Sequence, residues 1–175
     1  MNIRDVILTI HLMQSDRVVA RCAIGGAVGA TFYLEPVSTL DVDIFVTMQP
    51  QPGSLPLTLE PVFTYLKARG CAIEGDYVII GGWPVQFLPP TGPLVEEALE
   101  QAIEMDVEGV AVRVFTAEHL AAIALQTGRA KDKSRLLQFL ESGTLSSDRF
   151  QEIITHHGLE AAWTRFSRQF LSDDE

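Results

Sequence analysis

The chain has 175 residues, 47% of them hydrophobic, enough for one domain, or a domain with a small helical appendix, around a real core. Thirteen basic against 23 acidic residues give a net charge of −10, which opposes the phosphate attraction behind non-specific binding along a nucleic-acid track. No apolar run reaches the roughly 18 to 20 residues of a membrane span, and the N-terminus lacks a signal-peptide pattern, so no membrane partner and a cytoplasmic location are expected.

In chain order, Ile3, Val6, Ile7, Ile10 and Leu12 or Met13 recur at helical spacing and predict a first amphipathic helix over 2–14. A strand is expected at 18–24, then a turn at Gly25-Gly26 and a short helix over 26–34, before a second strand from Thr39 to Val46. Residues 49–54 read as a loop and 57–69 as a helix ended by Gly70. Residues 72–80, with Gly75-Asp76 inside, read as a hairpin or a bent strand, and Trp83 to Leu88 as a third main strand. A helix over 93–104 and a last strand over 110–115 complete the first part. From Thr116 onward only helices are expected, punctuated by Gly128, Gly143 and Gly158. These elements predict an α/β (α+β) fold: a mixed-sheet core over 1–115 flanked by helices, with a helical segment over 116–175 packed on it as one structural unit.

Two carboxylates need an explanation. In Asp41-Val-Asp-Ile-Phe-Val46, Asp41 and Asp43 fall on one face of an extended chain while Val42, Ile44 and Val46 fall on the other. Like charges this close raise each other's pKa unless a cation or strong donors lie between them, which points to a divalent metal, magnesium above all. Gly25-Gly26 opens a helical run, where backbone N–H groups would meet phosphate oxygens without side-chain obstruction. Arg129, Lys131, Lys133 and Arg135 form a local positive patch that would face a nucleotide or the tip of an RNA, or else a solvated helix start with Asp132 as its partner. Cys22 and Cys71 have no disulfide or zinc-type spacing and read as buried free thiols. His156-His157 precede Gly158 at a helix C-terminus, where they complement the helix dipole; they are assigned no chemistry. Trp83, Trp163 and Tyr33 read as packing residues.

Gly25-Gly26 followed by Thr39-Leu-Asp-Val-Asp43 resembles the glycine-pair and aspartate-pair signature of the nucleotidyltransferase (DNA polymerase beta-like) superfamily. Thr116 to Asp132, with its Gly-Arg-x-Lys-Asp end, is similar to small bacterial members related to the AbiEii toxin group. The resemblance implies magnesium ions at Asp41 and Asp43 and transfer of a nucleoside monophosphate from a nucleoside triphosphate to a hydroxyl of RNA, protein or a small molecule. It also implies nucleotide contacts from Gly25, Gly26, Thr39, Arg129 and Lys131. The sequence departs from the family pattern at Gln86, where a third carboxylate is usual, at Val37, where an arginine is common, and at Ala124, where a helix lysine is common. An alternative expectation is therefore a nucleotide-sensing or partner-binding module without turnover, with a small protein partner as in a toxin–antitoxin locus.

Overall fold

The structure is a computed structural model that describes residues 1–36, 39, 41–49, 53 and 58–172. Val37, the 49–54 loop beyond Gln49 apart from Gly53, and the start of the expected helix at 57 lie outside the described residues.

Among the described residues the strands are β1 (Val19–Ile24), β2 (Val42–Met48), β3 (Ile73–Glu74), β4 (Tyr77–Ile80), β5 (Trp83–Leu88), β6 (Ile103–Val107) and β7 (Val110–Val114). They form one mixed sheet in the order β3-β4-β5-β2-β1-β7-β6. The β2–β5 and β1–β7 pairs are parallel and the others antiparallel.

Each face of the sheet is covered by a different set of helices. Helices α1 (Ile3–Ser15) and α3 (Glu60–Ala68) lay Val6, Ile7, Ile10, Met13, Val62 and Leu66 against Val42, Ile44 and Val46 of β2 and Val85 and Phe87 of β5. The three-and-four spacing of those helical residues makes a single apolar stripe, and the two-residue period of the strands supplies its partner. The opposite face meets the C-terminal helices: α4 (Pro93–Glu100), α5 (Ala117–Thr127), α6 (Ala130–Ser142), α7 (Ser147–His156) and α8 (Glu160–Phe170). Helix α5 lies at the centre of this layer, with Leu120, Ala121, Ala122, Ala124 and Leu125 all buried. Its alanines let α6 and α7 approach closely on either side. A short helix α2 (Gly26–Ala30) joins β1 to β2.

Helix α5 begins at Thr116, whose hydroxyl accepts the His119 backbone N–H at 3.2 Å, and ends at Gly128 with φ +67°. Gly143 closes α6 and Gly158 follows α7 in the same left-handed conformation, so all three glycines act as stops. Thr116→Ala should lower stability by about 1 kcal/mol through the lost cap, read as a lower Tm with an unchanged circular dichroism spectrum.

Four expectations are corrected. The helix expected over 93–104 ends at Glu100, and Ile103 and Glu104 begin β6, an edge strand hairpinned to β7 through Glu108 and Gly109, both at positive φ. That turn suits the twist of paired strands, and the hairpin's ladder bonds outweigh the helical spacing of the preceding residues. The helix expected over 26–34 is α-helical only to Ala30; beyond it Thr31, Phe32 and Tyr33 bond back to carbonyls three residues earlier as turns. The second strand starts at Val42, so Asp41 stands just ahead of it. Of the thiols, Cys22 is buried, and burial pushes its pKa up to about 12; Cys71 is only half-buried.

Candidate active site

On β2, Asp43 and Phe45 turn away from the α1 and α3 core, toward the C-terminal helices. Phe45 packs on Phe115 at a ring separation of 4.8 Å, while Asp43 lines open space. The result is a cavity of about 590 Å³ between the sheet and α6.

The sheet side of the cavity carries Asp41, Asp43, Gln86 and Tyr77. Gln86 of β5 is in parallel register with Asp43, so the two side chains share a face on strands about 4.8 Å apart. The expected faces of β5 hold: Val85 and Phe87 are buried in the other core while Gln86 faces the cavity. Tyr77 extends the row onto β4, and its hydroxyl donates to Asp41 Oδ2 at 3.2 Å. The Thr39 hydroxyl donates to the Asp41 carbonyl at 3.1 Å and fixes the approach to β2.

Gly26 forms the floor of the cavity, and its neighbour Gly25 serves a different need. Gly26 has φ +57°, and a Cβ there would lie 2.0 Å from Asp43 Oδ2, so the carboxylate occupies the space that any side chain would take. At Gly25 a Cβ would meet the Phe45 ring at 2.6 Å, which makes that glycine a requirement of the aromatic pair.

Helix α6 supplies the opposite wall. Lys131, Ser134, Arg135 and Gln138 recur at helical spacing on the face that lines the cavity, and Arg129 precedes them at the N-cap. Lys133 lies off this face, with its ammonium 5.8 Å from the Phe170 ring centroid. Asp132 is almost fully buried and takes both Arg129 Nε at 2.6 Å and Nη2 at 3.3 Å, with Arg135 Nη1 at 3.7 Å. The local pairing of Arg129 with Asp132 is therefore present, and it aims Arg129 along the cavity wall instead of removing it from the site. Ala124 is buried in the helical core and does not line the cavity.

Burial and the neighbouring Asp41 charge raise the Asp43 pKa, while Lys131, Arg135 and Arg129 across the cavity pull it down. The Asp41 charge and the hydrogen bond to it raise that of the Tyr77 phenol. Ionised Asp43 is thus under strain in the absence of a cation. Asp43→Asn should raise the Tm of the protein in EDTA. Because the folded pKa is raised, the gain is present at neutral pH and disappears in acid, where both folded and unfolded chains protonate this carboxyl. A Tm gain independent of pH would contradict this account.

Among the expected site residues, Asp41, Asp43, Gly26, Thr39, Gln86, Arg129 and Lys131 meet at one cavity; Gly25 stands behind its wall. Tyr77, Ser134 and Gln138 also line it and were not expected from sequence, since Tyr77 reads there as the first residue of a hairpin strand. The i, i+3, i+4, i+7 relation of Lys131, Ser134, Arg135 and Gln138 was the available signal for the α6 face.

No protein-family model matches the sequence, and no curated protein matches it significantly. The fold does have solved counterparts. An antigenic nucleotidyltransferase-like protein from Paracoccidioides brasiliensis aligns with a TM-score of 0.63 at 14% identity, over 94% of this chain and 87% of that one. The antibiotic-resistance factor ANT(2'')-Ia aligns with a TM-score of 0.51 at 14% identity, over 95% of this chain and 97% of its own. Its complex with adenylyl-2''-tobramycin gives 0.51 at 15% identity, over 92% and 98%. The chain therefore has a nucleotidyltransferase-like fold.

Proposed function

We propose that the cavity binds a magnesium nucleoside triphosphate and that the protein transfers a nucleoside monophosphate from it to a hydroxyl acceptor on RNA, protein or a small molecule, the α–β phosphoanhydride bond breaking and pyrophosphate leaving. The observation that carries this reading is the opposition, across one cavity, of Asp41 and Asp43 to Arg129, Lys131 and Arg135. A negative pair and a positive helix face are what a metal–polyphosphate ligand needs, since the acids attract the cation and the bases the phosphates.

The residues present fit magnesium. Two carboxylates and the Gln86 amide offer hard oxygen donors, and the raised Asp43 pKa marks negative charge that the protein's own cations do not fully neutralise. Asp41 and Asp43 would hold the metal, which when bound supplies charge stabilisation for the attacking and leaving oxygens. Tyr77 holds Asp41 Oδ2, leaving Oδ1 for the metal side. Asp132 keeps the Arg129 guanidinium extended, and Lys131 and Arg135 face the phosphates from the helix. The absence of a side chain at Gly26 leaves the Asp43 carboxylate its place on the metal side of the cavity. In this reading the 1–115 segment contributes the acids and the 116–175 segment the bases.

Incubation with each of the four labelled triphosphates, magnesium, and total RNA, protein or a panel of small polyols should label one acceptor class. Labelling of none of them, with folded protein, would overturn transfer. Gln86 favours a second reading: Asp41 and Asp43 are the only carboxylates lining the cavity among the described residues, and a neutral amide takes no proton from an acceptor hydroxyl. That reading is nucleotide binding without turnover, coupled to a small protein partner. Gln86→Asp separates the two. On the first reading it tightens magnesium binding and raises label transfer, with a lower Tm in EDTA from added repulsion; on the second it changes binding alone.

A further inference from the structure

Three of the protein's four histidines converge on one carboxylate, Glu97 of α4, and none of these residues lines the cavity. His157 Nε2 is 3.0 Å from Glu97 Oε2, and His156 Nε2 is 4.0 Å from the same oxygen. One ligand atom from each of Glu97, His156 and His157 fits within a 4.8 Å span. His119, fully buried on α5, meets the other oxygen, Oε1, at 3.1 Å. The Thr116 hydroxyl accepts the His119 backbone N–H, so its own proton is free for His119 Nδ1 at 2.7 Å. That leaves the His119 proton on Nε2, donated to Glu97 Oε1. One carboxylate oxygen is thereby engaged and the other turned toward the His156-His157 pair.

We infer that Glu97, His156 and His157 form a binding site for a divalent transition metal of the zinc type, with His119 as the outer residue that orients Glu97. Two imidazole nitrogens and one carboxylate oxygen are a zinc-class donor set. Ligands about 2.0 to 2.1 Å from a tetrahedral ion lie about 3.4 Å from one another. The 3.0 and 4.0 Å separations bracket that value, and His156, at 72% exposure, is free to rotate the remaining distance. His157 and Glu97 are half-buried, which supplies two held ligands and one that closes on the ion. The donor nearest Oε1 repeats a device common at such centres, in which an outer hydrogen bond sets the direction of a ligand. The fourth position opens beside His156 to the groove of Asp148, Gln151, Glu152 and Thr155, where water reaches it. An ion here would tie the C-terminus of α7 to α4. It would not compete with the oxygen-only set at Asp41 and Asp43, which suits magnesium instead.

The test is cobalt(II) titration of the EDTA-treated full chain, read by visible d–d absorption, with zinc displacing the signal. The expected result is one equivalent bound in a tetrahedral spectrum, retained in the D41N/D43N variant, weakened more than tenfold in His156→Ala, and recovered in His156→Cys. Because His156 is exposed, its replacement leaves the fold intact, which a matching Tm in EDTA checks. Zinc should raise the Tm of the wild type and not of His156→Ala. Absence of cobalt binding, binding unaltered by His156→Ala, or binding lost with D41N/D43N would each overturn the site. None of these outcomes depends on nucleotide transfer.

Discussion

Gly26→Ala is expected to lower stability by about 1 to 2 kcal/mol from the left-handed backbone alone and to remove Mg-dependent nucleotide binding altogether. A Cβ at this position lies 2.0 Å from Asp43 Oδ2, so the carboxylate must swing away from the place it holds beside Gly26. The displaced atom is the end of a side chain, which keeps the folding cost moderate and puts the damage into the site. Gly25→Ala is the comparison: its Cβ first meets the Phe45 ring, at 2.6 Å, and costs about 1 to 3 kcal/mol by overpacking, while the Gly25 N–H keeps its 3.0 Å bond to the Asp43 carbonyl. Thermal melts of the two variants should show comparable losses, while nucleotide titration below both melting temperatures should spare Gly25→Ala far more than Gly26→Ala. A Gly26→Ala protein with wild-type Tm and wild-type nucleotide affinity would show that the carboxylate does not need that space.

The second large effect is chemical. Asp41→Asn with Asp43→Asn should reduce label transfer by at least about a thousandfold, because the remaining amide oxygens do not hold a divalent cation against the phosphates. The same variant should melt higher than wild type in EDTA, since burial and the Asp41 charge both disfavour ionised Asp43. Loss of function joined to a gain of metal-free stability distinguishes a functional pair from solvated strand-end carboxylates, for which neither change would occur.

The alternation in Asp41-Val-Asp-Ile-Phe-Val46 was enough to place both acids opposite a buried face, and the same two-residue period placed Gln86 beside them on β5. The reason lies in the sheet: once one face is buried, register leaves no freedom on the other. The strand β6 was not legible, because Ile103 to Val107 lies on an exposed edge and is fixed by a turn at Glu108-Gly109 more than by its own pattern. The glycine pair was legible as a turn but not as two separate demands, one from an aromatic ring and one from a carboxylate. The adjacent His156-His157 read as a helix end, and only tertiary packing brings Glu97 to them from about sixty positions earlier in the chain. Asp132 likewise reads as a local charge partner; its burial, which turns it into a brace for Arg129, depends on α6 docking against α5.

Titration of wild-type protein with a nucleoside triphosphate in the calorimeter, once with magnesium and once with EDTA, tests the central claim most directly. The opposed charges of the cavity predict one binding event that requires magnesium and is absent from the D41N/D43N variant. Equal binding in EDTA, binding retained by that variant, or no heat with any of the four triphosphates would contradict it.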